Sequence, residues 1–179
     1  EDVVKPTLEH YSGKILKNTG DGFVAEFSTV SRSVECAIEL QNLFMQRNIS
    51  VPENKQLKFR MGINLGEITF DDDDFYGDGV NVAARLEGLA EAPGICISSH
   101  VYDQVRNKVK GNFEDIGDTF VKNIPEPIRV YRILCEQPGQ IETPDISNDS
   151  NEVHMPTIAV LPFDNMSSDP EQEFFADGL

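Results

Sequence analysis

The stretch GKILKNTGDGFVAEF, residues 13–27, limits the fold more than any other part of the chain. Ile15 and Leu16 lead into Thr19-Gly20-Asp21-Gly22, after which Phe23, Ala25 and Phe27 alternate with Val24 and Glu26. Gly and Asp accept the positive φ of a tight turn, so a Gly-Asp-Gly between two strand-like runs predicts a β-hairpin. A hairpin with so apolar a second arm needs further strands beside it and helices over it.

The rest of the chain supplies both. Residues 1–11 read as the end of a helix with Val3, Val4 and Leu8 on one side and Gly13 as its stop. Ser28 and Thr29 cap a helix running to about Arg47, in which Val30, Val34, Ala37, Ile38, Phe44 and Met45 recur at helical spacing. LKFRMGINLGEITF, 57–70, reads as a strand pair or one bent strand, and Asp71 to Asp74 as a loop tip. GDGVNVAARLEGLA then opens a helix whose buried stripe is Val82, Leu86 and Leu89. A strand at 95–97, a Ser-capped helix at 99–108, and strands at 119–122 and 128–134 complete the pattern. Strands interleaved with helices on one face predict an α+β sandwich of the ferredoxin-like kind with a mainly antiparallel sheet.

Residues 136–155 hold no Lys or Arg and are rich in Pro, Gly, Ser, Asn and acids, which marks a linker. The expected division is therefore a domain over 1–135, a linker over 136–155, and a new unit from PTIAVLPF over 156–179. The first residue is Glu1 and the chain ends soon after Phe174 and Phe175, which reads as a fragment cut at both ends.

A net charge of -16 repels nucleic-acid phosphate over most of the surface, and no basic cluster offsets it. Nucleic acid is therefore an unexpected partner. Cys36, Cys96 and Cys135 form an odd set without CxxC spacing, each in an apolar or periodic stretch, which favours a reducing, cytoplasmic setting. No apolar run reaches membrane-spanning length, so no membrane anchor is visible within these residues.

Two groups of residues carry chemistry. One is Lys17, Gly20 and Asp21 on the hairpin; the other is Asp74, Tyr76-Gly77-Asp78, Asn81 and Arg85. Asn81 and Arg85 are four apart and share a helix face that flanks the buried stripe. Taken singly, each has a bland reading: Lys17 a solvated charge, Asp21 a turn former, Arg85 a surface partner of Glu87 or Glu91.

In this order and spacing they resemble the catalytic domain of class III nucleotide cyclases, through GKILKNTGDGFVAEF, FRMGINLGEI, DFYGDGVNVAARLE and FVKNIPEPIRVYRI. The resemblance runs from about Val3 to Leu134. It implies a homodimer with shared active sites, in which the ribose 3'-hydroxyl of ATP attacks the α-phosphate and pyrophosphate leaves. Two divalent ions, Mg²⁺ or Mn²⁺, are implied as cofactors, with Asp21 matching the second metal-binding Asp of the family. The first such Asp belongs to a strand upstream of this chain, so residues 1–179 alone are expected to be inactive. Lys17 and Asp74 match the positions that read the purine. Donor plus acceptor chemistry could also face guanine, but Lys with Asp is the adenylate pattern of the family, against Glu with Cys in guanylate cyclases. Asn81 is similar to the residue that orients the ribose, and Arg85 to the one that stabilises charge on the α-phosphate. Lys122 takes the place of a lysine that holds the terminal phosphates. An additional family Arg before the purine Asp has no counterpart in the acidic run. The metal Asp comes from one subunit and the Lys, Asn and Arg from the other.

The tail IAVLPFDNMSSDPEQEFFADGL resembles the start of a TolB-like module that follows such domains in bacterial proteins. Its bland reading is an apolar strand docked on the domain. The rival function is a cyclase-like regulatory module that binds nucleotide or a partner without turnover. Diguanylate cyclases and polymerase palms are relatives by fold only, since Gly20-Asp21-Gly22 is neither a GGDEF-like nor a paired-Asp turn.

Overall fold

The computed structural model describes residues 3–19, 22–71, 74–120 and 126–135, and the backbone of 157–162; the side chains of 71 and 74–76 lie outside this set. Helix α1 (Val4–His10) buries Val4 and Leu8. Its stop is Ser12, at φ 57°, and Gly13 is already the first residue of strand β1 (Gly13–Asn18). Strand β2 (Gly22–Phe27) returns antiparallel, as the hairpin pattern predicts, with an irregularity between Ile15 and Lys17.

Helix α2 (Val30–Asn48) starts where the Thr29 hydroxyl accepts a hydrogen bond from the Arg32 amide at 3.4 Å. It buries Val30, Val34, Ala37, Leu40 and Phe44, while Ile38 is half-buried against the same core. Full burial of each large apolar side chain is worth roughly 1.5–3 kcal/mol, which anchors a helix whose propensity alone would be marginal. The buried Gln41 amide adds a polar tie, donating to the carbonyls of Phe59 at 2.9 Å and Gly94 at 3.2 Å.

Strand β3 (Arg60–Leu65) is followed by a small hairpin, β4 (Thr69–Asp71) and β5 (Asp74–Tyr76), so the 57–70 run resolves into separate strands. Helix α3 (Asp78–Leu89) buries Gly79, Val82, Ala83 and Leu86. Leu89, expected in that stripe, is 37% exposed, and Ala90 takes the buried position after it. Strand β6 (Gly94–Ser98) is wholly buried. Helix α4 (Ser99–Val105) is shorter than expected, and the side chain of its cap residue, Ser98, makes no capping bond.

Strand β7 (Asn112–Thr119) begins ahead of the predicted 119–122 strand, of which residues 121 and 122 lie outside the described residues, and pairs with β8 (Ile128–Leu134) from Asn112↔Leu134 to Thr119↔Ile128. A bulge between Asp115 and Gly117, with Gly117 at φ 88°, keeps this polar edge strand in register with its apolar neighbour.

One sheet of seven strands runs in the order β1-β2-β9-β3-β6-β8-β7, where β9 is Thr157–Pro162. Only β3 and β6 pair in parallel; the other neighbours are antiparallel. The architecture is α+β, as the interleaving of strands and helices predicts. Helices α1, α2 and α4 cover one face through a core that includes Leu8, Leu40, Ile63, Ile97 and Val101. Helix α3 covers the other, packing Val82 and Leu86 on Cys96 and Val130, so the helices lie on both faces and not on one as the sequence pattern predicts. The segment read as a unit beyond the linker contributes β9 to the middle of this same sheet.

Candidate active site

Helix α3 is held tightly to the sheet, and backbone geometry is the main reason. A Cβ on Gly62 would stand 2.1 Å from the carbonyl oxygen of Ala83 and 2.3 Å from the amide of Glu87, so α3 crosses directly over β3. Gly77, just before the helix, is similarly confined, since a Cβ there would meet the Glu67 carbonyl at 2.4 Å. Two side chains reinforce the seat. Buried Asn64 donates from Nδ2 to the Gly79 carbonyl at 3.2 Å in the first turn, and Arg60 Nε meets Glu87 Oε1 at 2.8 Å in the last.

With its buried stripe fixed this way, α3 presents Asn81, Ala84, Arg85 and Gly88 to solvent. Asn81 and Arg85 thus share the exposed stripe, as their spacing predicts. The surface partners suggested for Arg85 are engaged elsewhere: Glu87 with Arg60, and Glu91 with Arg132 at 3.5 Å. Arg85 makes no ion pair among the described residues, leaving its guanidinium available for an anion.

Lys17 stands on β1 opposite Val24. Directly opposed residues of an antiparallel pair point to the same side of the sheet. Val24 packs with Ala83, Ile68 and Val80, so Lys17 emerges on the face that α3 covers, outside the covered patch and exposed. Lys17, Asn81 and Arg85 therefore lie on one side of the molecule. They do not converge from adjoining strands: β1 and β3 are three strand steps apart, about 14 Å at the usual spacing. The Thr19 amide donates to the Gly22 carbonyl at 2.7 Å, tying the end of β1 to the start of β2.

Asp74 is the first residue of β5, paired across the small hairpin with Asp71, immediately before the Gly77 approach and α3. Asp21, Lys122 and the side chain of Asp74 lie outside the described residues. No group of three metal-ligating side chains occurs among the described residues. Asp21, flanked in sequence by Gly20 and Gly22, is a hard oxygen donor, chemistry that suits Mg²⁺ or Mn²⁺ with phosphate oxygens completing the shell.

The thiols are not candidate nucleophiles. Burial, assisted by Glu39, pushes Cys36 up to about 12. Burial raises Cys96 to about 11 against the opposing pull of Arg132, and raises Cys135 to about 11. All three stay protonated near neutral pH.

Asn64 and the Arg60–Glu87 pair are positioning residues that pattern reading did not single out. A signal existed for Asn64: a lone amide in the apolar run FRMGINLG is a buried polar group in need of a partner.

The family model for the adenylate and guanylate cyclase catalytic domain matches residues 6–135. A Rhizobium meliloti protein named "Putative adenylate cyclase 3" is 40% identical over 191 aligned positions, covering 100% of this chain and 31% of that relative. The chain thus spans about a third of the relative's length. The crystal structure of an adenylate/guanylate cyclase/hydrolase from Silicibacter pomeroyi is similar at a TM-score of 0.71 and 40% identity, over 74% of this chain and 79% of that one. A Trypanosoma brucei adenylate cyclase, solved in its monomeric state, shares the fold at a TM-score of 0.64 and 22% identity, over 79% of each chain.

Proposed function

Since the chain belongs to the adenylate and guanylate cyclase catalytic domain family, we propose that it is the catalytic domain of an adenylate cyclase, converting ATP to 3',5'-cyclic AMP and pyrophosphate. The observation that carries this reading is the exposed pair Asn81 and Arg85 on the same side of the sheet as Lys17. An exposed arginine that makes no ion pair among the described residues can meet an anionic phosphate.

Lys17 donates to the adenine ring nitrogen and Asp74 accepts from the exocyclic amino group, which orients the base. Asn81 hydrogen-bonds the ribose and aims the 3'-hydroxyl at the α-phosphate. Arg85 meets the charge that builds on the α-phosphate oxygens, an electrostatic contribution realised mainly in the transition state. Lys122 neutralises the terminal phosphates that leave as pyrophosphate. Two divalent ions, when bound, stabilise the attacking and leaving oxygens. Asp21 would hold them, with further oxygen ligands from the nucleotide and from a second carboxylate.

The resemblance to class III nucleotide cyclases supports a site completed by a second copy of the chain. In a two-fold dimer Asp21 of one subunit serves the base, ribose and phosphate residues of the other, giving two sites per dimer. The 40% identity to a protein named as an adenylate cyclase supports the choice of ATP.

The test is turnover by the full-length protein with ATP and GTP compared at equal concentration. Cyclic AMP from ATP with little cyclic GMP from GTP is expected, and a Lys17→Glu, Asp74→Cys double variant should lose most ATP turnover. Equal turnover of both nucleotides contradicts the substrate assignment.

A further inference from the structure

Four buried side chains among the described residues are polar: Ser33, Gln41, Asn64 and Ser98. Of these, Asn64 is the one bonded to the helix that carries Asn81 and Arg85. It is 5% exposed near the end of β3, and its Nδ2 donates to the Gly79 carbonyl at 3.2 Å. Two close backbone approaches flank this bond. A Cβ on Gly66 would stand 2.7 Å from Gly79 Cα and 3.5 Å from Asn64 Nδ2, and the Glu67 carbonyl lies against Gly77. Residues 64–67 thus grip residues 77–79 at three points, all at the entry to α3.

The grip passes directly to Asn81. The Gly77 carbonyl accepts the amides of Val80 at 3.1 Å and Asn81 at 3.3 Å. Gly79 stands two residues before Asn81, and its carbonyl has one lone pair for its own helix and a second for Asn64. Helix α3 is already anchored on the sheet by Val82, Ala83, Leu86 and the approach over Gly62. An apolar side chain at position 64 would bury as well in the run FRMGINLG and need no partner. What the amide adds is local: it fixes the first turn of α3 against the small hairpin that ends at Tyr76.

We propose that Asn64 is a positioning residue for cyclisation, setting Asn81 against the hairpin that carries Asp74 so that the ribose held by one lines up with the base held by the other. The inference rests on the adenylate cyclase reading above and adds to it a residue that touches no nucleotide. A misplacement of about 1 Å at a reacting group can cost about a hundredfold in rate. Such a shift lowers kcat more than it raises KM, because the base and phosphate contacts still bind ATP while the 3'-hydroxyl is misaimed.

The test is steady-state kinetics of the full-length protein with ATP. Asn64→Leu, similar in size and without the donor, should lower kcat about tenfold or more while KM stays within about threefold. In an Asn81→Ala background the same change should cost less than about threefold further, because Asn64 acts through Asn81. Equal losses in both backgrounds, or parental kcat in the single variant, overturn the proposal. If the leucine variant does not fold, Asn64→Ser, too short to reach Gly79, carries the same comparison. Failure of both to fold makes Asn64 an anchor of the whole domain and overturns its positioning role. Amide exchange without nucleotide should accelerate about tenfold in the first turn of α3 and stay parental in the last; an unchanged first turn overturns the proposal. No cyclic AMP from the unmutated protein contradicts the adenylate cyclase reading and takes the positioning role with it, whereas a working parent beside an unaffected variant contradicts the role of Asn64 alone.

Discussion

Arg60 and Glu87 join β3 to the last turn of α3 at 2.8 Å, with the Glu87 side chain only 14% exposed and Arg60 31%. Truncating the arginine leaves a largely buried carboxylate without its cation. Arg60→Ala should destabilise the domain by about 1–3 kcal/mol, read as a lower urea midpoint with an unchanged slope. Stability within a few tenths of a kcal/mol of the parent would mean that solvent compensates Glu87 fully.

Gly62→Ala should cost about 3 kcal/mol or abolish folding, because the new methyl meets backbone atoms of Ala83 and Glu87 that no rotamer change can move. Thermal unfolding measures this. Gly88→Ala, on the open side of the same helix, has nothing within 4 Å of its Cβ and should stabilise by a few tenths of a kcal/mol up to about 1.

These two contacts mark the boundary of what the sequence makes legible. The β1–β2 hairpin and α2 were readable because their signals are local: a Gly-Asp-Gly turn, and a Thr29 cap followed by helical periodicity. Strand β7 was not legible because Asn112-Phe-Glu-Asp-Ile-Gly-Asp-Thr119 has little apolar alternation and forms by pairing with β8 around a bulge. The α3 stripe differs at Leu89, where Ala90 takes the buried position, and close packing over Gly62 adds Ala83 to it. The place of β9 depends on partners more than ninety residues away, which no local pattern encodes. Lys17, Asn81 and Arg85 are expected as a set from family spacing and lie on one side of the sheet, whereas Asn64 and Arg60–Glu87 act only through contacts made on folding.

Alkaline pH should weaken the fold. Tyr11 is raised to about 12, first by burial and then by Glu39 and Glu35, and Cys36, Cys96 and Cys135 are raised by burial to about 12, 11 and 11. A folded group that holds its proton longer than the unfolded chain stabilises fully below the unfolded value. That contribution is lost as pH rises through the folded one. Urea midpoints should therefore be flat to about pH 8.5 and fall between roughly pH 9 and 12. A Cys36→Ala variant should show a shallower fall, and an identical slope would remove Cys36 from the account.

In the full-length protein, Arg85→Ala should lower kcat by about a hundredfold or more while KM changes only a few-fold, since the guanidinium acts on charge present in the transition state. Steady-state kinetics with ATP distinguish this from a pure KM effect, which would assign Arg85 to ground-state binding.

The most direct test asks whether Asp21 and Arg85 serve a common site from different subunits. Full-length Asp21→Ala and Arg85→Ala proteins should each be nearly inactive alone. In an equal mixture allowed to exchange, half of the pairs are heterodimers, and each heterodimer holds one doubly defective site and one intact site. Cyclic AMP formation should recover to about one quarter of the unmutated level if subunits pair at random in a two-fold dimer. No recovery despite demonstrated exchange would place both residues in one chain's own site and contradict the shared-site mechanism.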